Sequence, residues 1–227
     1  MSHSVVPTRR QPGSRGHSGE LIPVRTRKAW QMLRQTGILV RDCSASMSGQ
    51  KKLDAEAACA DLLHILSTCA NNSAFDLAVV DFSGHAAIVN AIQPVTAVKL
   101  PPMQIDSSTD IAAGLLATES LLSQFGNDQI RPVILLFTDG CHNGTEDPRY
   151  VAERLKSRAT IVTVAFGDDA DESLLQELAM SPQHSYRCSD GYSLRCFFAE
   201  FGTTMSESIQ FGIDGNDAFA ALDEGSR

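Results

Sequence analysis

The stretch Gly37-Ile38-Leu39-Val40-Arg41-Asp42-Cys43-Ser44-Ala45-Ser46-Met47 decides how this 227-residue chain is read. Its first four residues lean apolar and read as a buried strand. Asp42, Ser44 and Ser46 then follow two apart on the loop that leaves the strand. Residues two apart in extended chain point the same way, so one carboxylate and two hydroxyls converge beyond the strand's C-terminal end. Only oxygen donors are offered there. Hard divalent cations take oxygen ligands, and Mg²⁺ keeps several waters instead of being caged by protein. The loop therefore reads as half of an open magnesium site.

Outward from this stretch, strands and helices alternate. Gln50 to Ala70 contains neither Gly nor Pro and predicts a helix that buries Leu53, Ala57, Ala60, Leu63 and Leu66, stopped by Asn71-Asn72. Phe75 to Phe82 reads as a strand, Ser83-Gly84 as a turn, and Ala86 to Asn90 as a short antiparallel strand. A polar loop from Met103 to Asp110 leads into an amphipathic helix carrying Ile111, Leu115, Leu116 and Leu122. Val133 to Phe137 is apolar at every position, the pattern of a parallel strand covered on both faces, and it ends in Thr138-Asp139-Gly140. Asp147-Pro148 supplies a cap and a first helical residue for a helix reaching about Arg158. Ile161 to Phe166 is a further covered strand, Glu172 to Met180 a helix, His184 to Cys188 a short edge strand, and Tyr192 to Ile209 a closing helix with Phe197, Phe198 and Phe201.

This alternation predicts an α/β fold: a doubly wound, mostly parallel sheet of about six strands, with one antiparallel edge strand and helices on both faces. Ligands of such sheets bind beyond the strand C-termini, where the strand order reverses. The oxygen-rich loops follow strand ends or open helices, so the fold can gather them.

Composition sets the outer bounds. Residues 1–20 are rich in Ser, Gly, Pro and Arg and read as a disordered arm, residues 21–210 as one domain, and residues 211–227 as a loose tail. Residues 1–36 carry seven Arg or Lys against Glu20 alone, whereas the rest carries 12 basic and 26 acidic residues. A basic arm on an acidic body argues against nucleic acid as the body's partner. The start lacks the apolar core of a secretion signal. No apolar run reaches the ~18 residues of a membrane span. A cytoplasmic protein is expected. The six cysteines form no CxxC pair, so free thiols are expected.

Asp42-x-Ser44-x-Ser46, Thr109 in a loop before a helix, and Asp139 within Thr-Asp-Gly resemble, in order and spacing, the von Willebrand factor type A domain and its metal-ion-dependent adhesion site. The resemblance implies Mg²⁺ or Mn²⁺ bound by the hydroxyls of Ser44, Ser46 and Thr109. Asp42 and Asp139 would hold metal-bound waters or the ion itself, and one position stays open for a partner's Asp or Glu. Taken singly, Thr109 reads as a helix cap and Asp139 as a turn residue. Cys141-His142 reads as an incidental loop pair. Two residues depart from the family's usual text. Ala45 stands where glycine is frequent, and Arg41 where an aliphatic residue is usual. Pointing away from Asp42, Arg41 faces a covered side of the sheet and needs a partner; Asp81, at the end of the next strand, is the candidate.

Within the family, the stand-alone form and the texture of the final helix are similar to the bacterial, tellurium-resistance-associated TerY group. That likeness implies a non-enzymatic adaptor in stress or signalling systems, alongside a Ser/Thr protein kinase and a PP2C-type phosphatase. Two other classes stay open: a metal-assisted hydrolase or phosphoryl-transfer enzyme, and an accessory subunit of a separate ring ATPase, since the chain has no GxxxxGK[ST] loop.

Overall fold

Six strands form one sheet in the computed structural model, which describes residues 34–123, 130–211, 215–220 and 222. The arm expected over residues 1–20 and the first residues of the expected domain, 21–33, lie outside the described residues. The strands are β1 (Gln35–Asp42), β2 (Phe75–Phe82), β3 (Ala86–Pro94), β4 (Val133–Thr138), β5 (Thr160–Phe166) and β6 (Ser185–Cys188), in the order β3-β2-β1-β4-β5-β6. Every residue of β1, β4 and β5 is buried, as their unbroken apolar runs require of strands with helices on both sides. Only β3 runs antiparallel, on an edge. The chain leaves β1 towards β2 on one side and returns to β4 on the other, so the strand order reverses between β1 and β4. Asp42 ends β1 and Asp139 directly follows β4, which places both carboxylates at that reversal.

Successive side chains of each strand feed two cores. Leu39, Leu77, Phe137 and Val164 pack against α1 (Gln50–Thr68) and α5 (Gly191–Phe211). Ile38, Val40, Ile134 and Leu136 pack against α2 (Ile111–Leu122), α3 (Pro148–Lys156) and α4 (Glu172–Leu178). The α3 and α4 starts are capped as aspartates cap helices: Asp147 accepts from the Arg149 N–H and Asp171 from the Leu174 N–H, each at 3.0 Å.

Arg41 takes the predicted partner. Parallel pairing sets it opposite Asp81. Its Nε lies 2.6 Å from Asp81 Oδ1 and its Nη2 2.9 Å from Oδ2, while Pro101 O accepts from both Nη atoms at 3.3 Å. The guanidinium is 1% exposed. Burial acts to push its pKa down, but the bonds and charge of Asp81 outweigh this and hold it above the usual arginine range.

Three elements differ from their expected form. Helix α1 buries Ala55, Ala58, Cys59, Leu62 and Leu66, while Leu53 is 57% exposed. Small and apolar residues surround nearly the whole helix, so spacing alone did not fix its rotation. The contact with α5 does: a Cβ on Gly202 would stand 3.0 Å from Leu62 Cδ1 and 3.2 Å from Ile65 Cγ2. Strand β3 runs on to Pro94, past the predicted end at Asn90, because an edge strand tolerates the half-exposed polar residues Asn90 and Gln93. The expected tail over residues 211–227 contains a sixth helix, α6 (Gly215–Ala220), and the packed body extends beyond residue 210. Phe219 is buried with its ring stacked on Phe201, centroids 4.7 Å apart, and the Tyr186 hydroxyl donates to the Phe219 carbonyl.

Candidate metal centre

The loop after β1 folds back on its own carboxylate. The Ser44 N–H donates to Asp42 Oδ1 at 2.7 Å, a local bond that turns the chain as soon as the strand ends. A 3₁₀ turn over Ala45–Met47 follows, anchored by buried Met47. Ser46 Oγ donates to Asp139 Oδ1 at 2.6 Å and lies 2.9 Å from Ser44 Oγ. A hydroxyl has one proton, and that of Ser46 is committed to Asp139, so Ser44 is the donor within the serine pair. The Thr138 hydroxyl donates to Asp42 Oδ2 and accepts from the Gly140 N–H at 3.1 Å. Asp42 is thus held by the last residue of β4, and Asp139 by the loop after β1.

Thr109 arrives from the loop before α2. Asp110, not Thr109, caps that helix, accepting from the Ala113 N–H at 3.0 Å, which leaves the Thr109 side chain for another role. A Cβ on Gly140 would meet Thr109 Oγ1 at 3.3 Å and Ser46 Oγ at 3.4 Å. Both hydroxyls thus lie against the backbone beside Asp139, and a side chain here would press on that of Thr109. Asp42, Ser44, Ser46, Thr109 and Asp139 therefore gather at one place.

Four contributors escaped the sequence reading. Thr138 bridges Asp42 and Gly140. Asn143 clamps the Thr109 backbone, accepting from its N–H and donating to its carbonyl, both at 2.9 Å. His142 is no incidental loop residue: its Nδ1 accepts from the Ile111 N–H at 3.2 Å, which leaves Nε2 to donate to Glu146 O at 2.8 Å. The fourth is Lys51, whose Nζ lies 2.6 Å from Asp139 Oδ2. A signal for it was present. Lysine in the first turn of a helix opposes the helix dipole, so its charge answers to something outside the helix. Replacing Asn143 with alanine frees the Thr109 loop and is expected to weaken divalent-ion binding about tenfold, the low end for outer partners of a metal. Calorimetric titration with Mn²⁺ reads this; affinity equal to wild type would show that α2 alone positions Thr109.

The electrostatics favour a cation. Asp42 and Asp139 are both 0% exposed. Burial pushes the Asp42 carboxyl above its usual range, hydrogen bonds from Thr138 and Ser44 pull it back, and the charge of Asp139 pushes it up again. Lys51 compensates one of the two carboxylates. Among the described residues no three His, Cys, Asp or Glu side chains are grouped so as to hold a metal ion, so the donors here are two carboxylates and three hydroxyls. This all-oxygen set fits a hard divalent cation.

Comparison with known proteins agrees with this reading of the fold. The family model of the von Willebrand factor type A domain matches residues 38–200. Human inter-alpha-trypsin inhibitor heavy chain H6 is 30% identical over 164 residues, 63% of this chain and 12% of its own length. Proximal thread matrix protein 1 from the mussel byssus, solved with a zinc-occupied MIDAS motif, superposes with a TM-score of 0.58 at 20% identity, over 80% of this chain and 46% of its own. A type A protein from Catenulispora acidiphila gives 0.63 at 17% identity, over 76% and 42% of the two chains. The domain of the pilus tip protein Mfa5 from Porphyromonas gingivalis gives 0.63 at 13% identity, over 78% and 97%. With its matched span and its six-stranded sheet, this chain belongs to the von Willebrand factor type A domain family.

Proposed function

We propose that this chain is a divalent-metal-dependent protein-binding module that grips an Asp or Glu of another protein. The supporting observation is the convergence of two fully buried carboxylates with three hydroxyls where the strand order reverses. Ser44, Ser46 and Thr109 would hold Mg²⁺ or Mn²⁺, with Asp42 and Asp139 orienting them or holding metal-bound water. When bound, such an ion supplies a Lewis acid that hydroxyl donors leave electrophilic enough to take an external carboxylate. The protein's own part is to hold the serine hydroxyls and exclude solvent around the aspartates. The groups touching those aspartates are hydroxyls, a backbone N–H and an ion-paired lysine, a set suited to binding rather than proton transfer. With a net charge of −8, the chain favours a partner whose acidic residue sits in neutral or basic surroundings.

The finer reading rests on the resemblance to the TerY group: a cytoplasmic adaptor in a bacterial stress or signalling system, beside a Ser/Thr kinase or a PP2C-type phosphatase. The test is calorimetric titration with Mg²⁺ and Mn²⁺, then affinity capture in Mg²⁺ and in EDTA. Ser44→Ala removes a proposed ligand and is expected to bind the ion at least as weakly as the loss of an outer partner would make it, about 10–100-fold, and to lose the partner captured by wild type in Mg²⁺. A partner set indifferent to EDTA and to Ser44→Ala would end the proposal.

A further inference from the structure

Lys51 reaches two carboxylates of very different character. Its Nζ lies 2.6 Å from Oδ2 of fully buried Asp139 and 3.7 Å from Oδ2 of Asp169, which is 84% exposed. Asp139 Oδ1 is taken by Ser46, so hydroxyl and ammonium together engage both oxygens of the carboxylate. Asp169 belongs to the loop after β5, which turns at Gly167 with a φ of +84°, and a Cβ there would stand 3.5 Å from Lys51 Cε and Nζ. The lysine tip thus lies against this turn with both aspartates in reach. An ammonium on Asp139 supplies positive charge where a metal would bring it, and the two cations repel when both crowd one carboxylate.

We propose that Lys51 is a tethered competitor for the metal. Its ammonium neutralises Asp139 in the metal-free chain, yields it when the divalent ion binds, and passes to Asp169. This rests on the metal-binding reading above and adds its control: the lysine steadies the metal-free protein and sets the ion concentration at which the site fills. An exposed carboxylate one side-chain swing away makes the release reversible, because the displaced ammonium keeps a counter-charge.

The experiment uses the full chain and two readouts, Mn²⁺ and Mg²⁺ affinity by calorimetry and melting temperature in EDTA. Lys51→Met is expected to bind Mn²⁺ about tenfold more tightly and to melt lower than wild type in EDTA, where buried Asp139 has lost its counter-charge. Lys51→Gln, which keeps a hydrogen-bond donor without the charge, is expected to show the tighter binding with a smaller loss of stability. Asp169→Asn removes the alternative seat and is expected to weaken Mn²⁺ binding severalfold. Combined with Lys51→Met, it is expected to add nothing. Wild-type Mn²⁺ affinity in both Lys51 variants would overturn the competitor role while leaving the metal site intact. Absence of Mn²⁺ and Mg²⁺ binding in wild type and in both lysine variants would overturn the metal site, and the competitor with it.

Discussion

Arg41→Met is expected to cost about 3–5 kcal/mol of folding stability, the loss seen when one partner of a buried ion pair is removed. For a chain of this size that lowers the melting temperature by roughly 10 °C. The cost comes less from the lost attraction than from what remains. Asp81, 13% exposed, keeps its charge next to Cys43 and Cys59, whose thiols burial pushes up to about 12. Among the described residues no other cation lies within ion-pair distance of Asp81. Asp81→Leu alone should be nearly as damaging, because Arg41 would keep only Pro101 O. Arg41→Met combined with Asp81→Leu removes both charges and is expected to recover most of the loss. Urea unfolding of the four proteins closes the cycle; additive single losses would show that the two side chains act independently.

Asp42→Asn is expected to separate stability from metal binding. Loss of a carboxylate at the centre of the site should weaken Mn²⁺ binding by about 100-fold or more, beyond the range for outer partners. The same change should raise the melting temperature in EDTA at neutral pH. Asp42 has its pKa raised in the fold by burial, so its charged form is less welcome there than in the unfolded chain. The sign follows from linkage. The metal-free wild type should gain stability as pH falls from neutral through the raised Asp42 pKa, and lose it again as pH rises. The amide of the Asp42→Asn variant has no such proton to gain, so the two melting curves should converge on the acid side. A variant less stable than wild type in EDTA at neutral pH would mean that the bonds from Thr138 and Ser44 outweigh the cost of burial.

Much of the site was legible because strand chemistry is local. VILLF over residues 133–137 reads as a covered strand wherever it stands, and the two-residue period fixes which way Asp42 and Arg41 point, from which the Asp81 partner follows. The assisting residues were not legible. Asn143 and His142 act through loop contacts to residues more than thirty positions away, and no periodicity encodes such contacts. The rotation of α1 was hidden for a related reason: a helix with alanine on several sides takes its buried face from what packs on it. Phe219 was hidden by its surroundings, one aromatic among Gly, Asp and Asn, whose composition reads as loose chain.

The placement of Phe219 bears on how the domain should be cut. The stretch shared with the family closes at residue 200, yet Phe201, Met205, Phe219 and Leu222 all belong to the core on the α1 and α5 side of the sheet. A fragment trimmed to the shared stretch would lay bare the rings of Tyr186 and Phe197 along one flank and invite self-association. Among the described residues, the core on that side of the sheet reaches at least to Leu222.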